Sequence, residues 1–263
     1  MLNQTNLICP ICRLPLNENE KLFSCPNNHC FDKAKQGYVN LLISNKQGVH
    51  GDDKLMIKAR ESFLEKGYYG RMRDAVSEII GKGYTVLDAG CGEGYYTSVF
   101  SDGNTVFGID ISKEALKVAS RKCKGASFAV ASIYDVPLED NSVDAVVNIF
   151  APDSPTEYLR IIKPNGRLIM VTPMENHLME LKRAVYDNPY ANAYVEPSRN
   201  GFSIKSQKEI KYEIDLECNE DIISLFKMTP YYYNTSPKDI QKLDNYDRLT
   251  TRVEFLITEY EKI

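Results

Sequence analysis

Apolar positions change their period along the chain. From Leu55 they recur at helical spacing: Met56, Ala59, Phe63 and Leu64 share one face, and Gly67 ends the run. A second helix is predicted over 71–80. Beyond it the pattern becomes short unbroken apolar runs separated by helical segments. Residues 85–87, 105–109, 127–130, 143–150 and 166–171 each read as a buried strand. Ser112 is placed to cap a helix reaching about Lys122, and the turn Lys163-Pro164-Asn165-Gly166 enters the fifth strand. Strands apolar on both faces that alternate with helices predict a parallel sheet covered on both sides. Residues 207–216 and 251–260 alternate polar and apolar, as antiparallel edge strands do.

The first 44 residues carry neither period. They hold short turn-rich pieces, Cys9-Pro10-Ile11-Cys12 and Cys25-Pro26-Asn27-Asn28-His29-Cys30, then a strand-like run over 37–42. Residues 45–54 are nearly devoid of apolar side chains and read as a linker. The predicted division is therefore 1–44, a linker and helix over 45–68, and a main domain over 69–263. An apolar fraction of 43% and a charged fraction of 26% fit a globular chain. No run approaches a membrane span, and residues 1–10 lack the basic and apolar regions of a secretory leader, so no membrane association and a cytoplasmic location are expected. Thiols stay reduced there, so seven cysteines suggest a metal site over a disulfide framework.

Cys-x2-Cys followed after twelve residues by Cys-x3-His sets two ligand pairs on short knuckles, the arrangement a tetrahedral zinc site needs. Cys9, Cys12 and Cys25 are three of the ligands, and either His29 or Cys30 is the fourth. Four protein ligands leave no open position, so the zinc is read as structural. No second histidine follows at the distance a DNA-reading finger requires, and DNA is not an expected partner. Net charge is −4, split +3 over residues 1–60 and −7 thereafter, so a phosphate-bearing partner would meet the N-terminal part through Arg13, Lys21, Lys33 and Lys35.

Asp88-Ala89-Gly90-Cys91-Gly92-Glu93-Gly94-Tyr95 joins a strand to a helix, where glycines let the backbone approach a ligand. A dinucleotide fingerprint would need a third glycine where Tyr95 stands. Carboxylates flanking the turn disfavour a pyrophosphate and favour a cationic sulfonium and ammonium. Asp110, at the next strand end, can accept ribose hydroxyls. Together they point to S-adenosylmethionine (SAM), with Asp88, Gly90, Gly92, Glu93, Gly94, Tyr95 and Asp110 around it. Cys91 has no histidine partner nearby in sequence and reads as a small residue packed under the cofactor. At the carboxyl edge after the fourth strand, Phe150 could stack on a base and Asp153 could accept a proton. His50 falls in the linker, whereas His177 lies on the functional edge.

These stretches resemble the RlmA-type 23S ribosomal RNA guanine-N1 methyltransferases. The resemblance rests on Cys9-Pro10-x-Cys12, Cys25-Pro26-x-x-His29, residues 37–42, the 55–69 helix, Val86 to Tyr96 and His177-Leu178-Met179-Glu180-Leu181-Lys182. It implies an α/β fold, a class I SAM-dependent methyltransferase with a Rossmann-like, mostly parallel seven-stranded sheet and a small N-terminal zinc-binding domain. It further implies His29 as fourth zinc ligand, and Tyr69 and His177 at the cofactor. The implied activity is methylation of guanine N1 in a 23S rRNA hairpin loop (domain II) by a homodimer, in one branch linked to macrolide-type antibiotic resistance. Two other readings share the residues: a SAM methyltransferase acting on another RNA or a non-RNA substrate, and a zinc-dependent RNA-binding module without catalysis.

Overall fold

The computed structural model describes residues 3–43, 53–193 and 197–263. Most of the linker expected over 45–54, and His50 with it, lies outside the described residues. Strands β1 (Asn3–Ile8), β2 (Pro15–Glu18), β3 (Leu22–Ser24) and β4 (Cys30–Asp32) form an antiparallel sheet in that order. The tight turns that join them carry the cysteines. Next, β5 (Val39–Asn40) leaves this small sheet and joins the large one. Helix α1 (Lys54–Glu65) begins where the Asp53 carboxylate accepts the Met56 N–H at 2.9 Å, and α2 (Gly70–Ile80) follows.

The chain then alternates β6 (Thr85–Ala89), α3 (Tyr95–Phe100), β7 (Thr105–Asp110), α4 (Lys113–Lys122) and β8 (Ala126–Val130). It continues with β9 (Val143–Ile149), α5 (Pro155–Ile161), β10 (Ile162–Pro173), α6 (Met179–Val185), β11 (Phe202–Leu216), α7 (Asn219–Lys227) and β12 (Leu249–Lys262). Every strand of the central run pairs in parallel, and β12 pairs antiparallel with both β10 and β11. Spatial order is β11-β12-β10-β9-β6-β7-β8-β5. The order reverses at β6, which places the turn after β6 where α/β sheets bind ligands.

The seven expected strands are present, and an eighth joins them. Val39 and Asn40 pair with Ala129 and Val130 of β8, and the Leu41 N–H donates to the Val130 carbonyl at 2.9 Å. Burial explains the addition, because Val39 and Leu41 cover the apolar edge of β8.

Two apolar layers cover the sheet. One contains α1 and α2 residues such as Phe63 and Met72 with Phe255 of β12. The other joins Tyr158 and Ile161 of α5 to Leu7, Cys9, Leu16, Phe23 and Cys25. The small sheet therefore has no core of its own; its apolar side chains complete one layer of the large sheet.

Candidate active site and metal centre

Two backbone knuckles aim the N-terminal ligands inward. In the first, the Cys9 N–H donates to Leu14 O and the Arg13 N–H to Cys9 O, both at 2.8 Å. In the second, the Asn28 N–H donates to Cys25 O at 3.0 Å. Arg13 and Asn28 take left-handed backbone (φ 61° each), which closes both turns. As a result the ligand atoms of Cys9, Cys12, Cys25 and His29 all lie within 4.8 Å of one another. His29 Nδ1 is 3.4 Å from both Cys9 Sγ and Cys25 Sγ, and Cys12 Sγ is 3.6 Å from Cys25 Sγ. A backbone N–H from Leu14 pulls the Cys12 thiol down, toward the thiolate a metal needs.

Cys30 is exposed, with Sγ turned toward Asn28 O, so the choice that spacing leaves open falls on His29. Three thiols and one imidazole nitrogen are the donor chemistry of a closed zinc site. Of the basic residues expected to face a phosphate partner, Arg13 is bonded to Asp135 at 2.8 Å and Lys33 is ion-paired with Glu18.

The glycine-rich turn is held from both sides. Asp88 is buried at the end of β6 and accepts from Thr97 Oγ1 at 2.6 Å. Burial, with Asp110 and Glu93 nearby, pushes its carboxyl up to about 7. Burial likewise raises Glu93, against the opposing pull of Arg60 and Lys122. Gly90 has φ +80°, and a Cβ there would stand 2.5 Å from Ala151 Cβ. The turn thus packs against the segment after β9, and only glycine permits both the conformation and the approach. Asp110 ties the turn together: Oδ2 accepts the Gly92 N–H at 3.0 Å and Oδ1 the Ser112 N–H at 2.8 Å. Cys91 is buried beside these carboxylates and its thiol is raised, which suits packing better than nucleophilic work.

Beyond the turn stands a group of rings. Tyr69 lies 4.9 Å from Phe255, 6.3 Å from His177 and 6.5 Å from Phe150, centroid to centroid. His177 is buried, and its Nδ1 accepts the Glu254 N–H at 3.1 Å. Burial and the Lys182 charge bring it down to about 3, so the ring is neutral and Nε2 carries its proton. Phe150 holds left-handed backbone (φ 57°), a strained state for an aromatic residue, and remains 44% exposed.

Asp153 and Tyr95 stand otherwise than their neighbours in sequence suggest. Asp153 is ion-paired through Oδ2 with Arg199, and its Oδ1 is buried without a hydrogen-bond partner. Tyr95 turns toward α2, with Arg73 Cζ 5.0 Å from its ring centroid. Sequence reasoning passed over Phe255, Glu254 and Arg199. Each reaches the site from more than 45 positions away, with no local motif to signal it.

Comparisons with known proteins agree with both halves. Residues 7–48 match the RlmA N-terminal zinc-ribbon family and residues 80–223 a methyltransferase-domain family. The chain is 33% identical to a protein of Micromonospora griseorubida assigned as a 23S rRNA (guanine-N1)-methyltransferase, over 95% of this chain and 92% of the relative. It is 37% identical to the 23S rRNA (guanine(748)-N1)-methyltransferase of Streptomyces fradiae, over 68% and 67% respectively. Among solved structures, the YcgJ protein of Bacillus subtilis aligns at a TM-score of 0.52 with 16% identity, covering 73% of this chain and 98% of that one. That likeness shows the fold of the large sheet.

Proposed function

This chain belongs to the RlmA-type family of 23S rRNA (guanine-N1)-methyltransferases, and from that premise we propose that it moves a methyl group from SAM to N1 of a guanine in a 23S rRNA hairpin loop. The observation that carries the reading is one continuous layer. A three-cysteine, one-histidine knuckle pair sits on the same apolar core as an acidic, glycine-rich turn at the switch point of a parallel sheet.

Asp88, Gly90, Gly92, Glu93, Gly94 and Asp110 are the residues that would hold SAM, with Tyr69 and His177 closing the far side. Two buried carboxylates, Asp88 and Glu93, with the half-buried Asp110, surround a turn of left-handed glycines and form a cradle for a cation, which fits a sulfonium with an ammonium. SAM, when bound, supplies an electrophilic methyl group on that sulfonium. The chain does the rest. Phe150, exposed and held out by its strained backbone, is the ring on which the target base would stack. Guanine N1 carries a proton that must leave, and Asp153 is the carboxylate we assign to accept it, with Arg199 ion-paired to it. Most of the acceleration comes from alignment, because a direct transfer needs no covalent intermediate.

Cys9, Cys12, Cys25 and His29 would hold one structural zinc, and the ribbon would present RNA to the site. A ribosomal substrate places the reaction in the cytoplasm, and a homodimer would set two ribbons on one folded RNA. Among the described residues no helix is long and apolar enough to cross a membrane. Labelled SAM, purified protein and 23S transcripts test the reading. A primer-extension stop at one guanine is the expected result, since N1 methylation blocks pairing. Label on another base or position, or on no RNA, overturns it.

A further inference from the structure

The zinc ribbon and the cofactor turn meet through one stretch of chain, residues 131–138. From the ribbon, the Ile8 N–H donates to Pro137 O at 3.0 Å, Leu7 bridges Leu138, and Arg13 bonds Asp135 at 2.8 Å. At its other end the Ala131 N–H donates to Asp110 O at 3.1 Å, and Asp110 in turn holds the Gly92 N–H. Packing runs the same way: the ligands Cys9 and Cys25 share a buried cluster with Ile133, Val136, Ala89 and Ile109. Two metal ligands are thus core residues of the cofactor half.

We infer that the ribbon braces the cofactor turn, so that zinc at Cys9, Cys12, Cys25 and His29 and SAM at the 88–110 turn strengthen each other's binding through residues 131–138. The inference rests on the cofactor assignment made above. Four strands of at most six residues cannot keep their shape without the metal. Loss of that shape removes Leu7 and Ile8 from their partners and frees one side of the stretch. A second hold limits the effect. Arg160 donates to the Val136 and Leu138 carbonyls at 2.8 and 2.7 Å, and Glu157 accepts the Val136 N–H at 2.7 Å. The stretch therefore loosens without melting, and the coupling sits at the low end of the usual range, about five- to tenfold.

Linkage requires the same factor in both directions, which gives two measurements on the full chain. Calorimetry of zinc-loaded and metal-stripped protein should show SAM binding about five- to tenfold weaker without the metal. Equilibrium competition between the zinc-loaded chain and a chromogenic chelator should show zinc held tighter by that factor in saturating SAM. Competition also populates the stripped chain, so circular dichroism of that chain must show the large sheet intact; loss of the sheet signal on stripping would assign the linkage to unfolding and overturn the brace. Asp135→Lys, which repels Arg13, should weaken SAM binding, and adding Arg13→Glu should restore it. Zinc affinity unmoved by saturating SAM overturns the brace. A zinc-loaded chain that binds no SAM overturns the cofactor assignment as well.

Discussion

At the scale of single residues, the cofactor turn is governed by three carboxylates, Asp88 and Glu93 buried and Asp110 half-buried. Asp110 spends both oxygens on backbone N–H groups, and its charge is also the one placed for ribose. Asp110→Ala should weaken SAM binding by about 1.5–3 kcal/mol, the worth of a hydrogen bond to a charged acceptor, read by calorimetry. An unchanged affinity would remove Asp110 from the site. Asp88 gives a pH signature. Its folded-state pKa of about 7 lies above the ordinary 3.8, so its contribution to stability is full below 3.8 and is lost as pH rises through 7. A cationic ligand favours the ionised form, so SAM affinity should rise between pH 6 and 8 and lose that rise in Asp88→Asn. His177 slopes the other way: depressed to about 3, it removes stability as pH falls below 6.5, where the unfolded chain takes up a proton that the folded chain refuses. Asp153→Asn should lower kcat by about 10²-fold or more with SAM affinity unchanged, the usual share of a general base. A kcat within twofold of the parent would transfer that role elsewhere. Most of these residues were legible because they lie in one turn or at a strand end. Arg199 and Phe255 were not, since only the folded sheet brings them to Asp153 and Tyr69.

Elements were legible in proportion to their burial. Strands β6 to β10 are buried on both faces, and their apolar runs stand out. Strands β1 to β4 are short, half-buried pieces between turns, too brief to show a period. Cys30 and His29 illustrate the cost: neighbours in sequence are equivalent to a spacing rule. The start of β4 turns the Cys30 side chain away from the ligand cluster. Helix α1 shows how an element near the site is fixed from a distance. Asp221 of α7, almost fully buried, takes an ion pair from Lys66 just past α1 and a 2.8 Å hydrogen bond from the Tyr68 hydroxyl. Replacing it with alanine leaves Lys66 and Tyr68 without their shared acceptor. The expected cost is about 2–4 kcal/mol, read as a fall in the denaturant midpoint. A loss below about 0.5 kcal/mol would mean that apolar packing alone seats α1.

For the whole molecule, the N-terminal unit and the methyltransferase unit expected from composition share one buried layer. The boundary was drawn from composition, and composition does not reveal that Leu7, Leu16 and Phe23 finish a core begun by β6 and β9. A shared layer predicts one thermal transition for the zinc-loaded chain, with chelation lowering its midpoint. Two separated transitions in a calorimetric scan would show that the halves fold independently. The same layer also sets a clock. Leu7 leaves the ribosome about 130 residues ahead of Leu138, so at roughly 5–20 residues per second the ribbon waits on the order of ten seconds for the surface it packs on. During that interval its three thiols and one imidazole are made and its hydrophobic floor is not. An ion captured then is held on an unfinished fold, and the durable grip forms only after the later strands are synthesised.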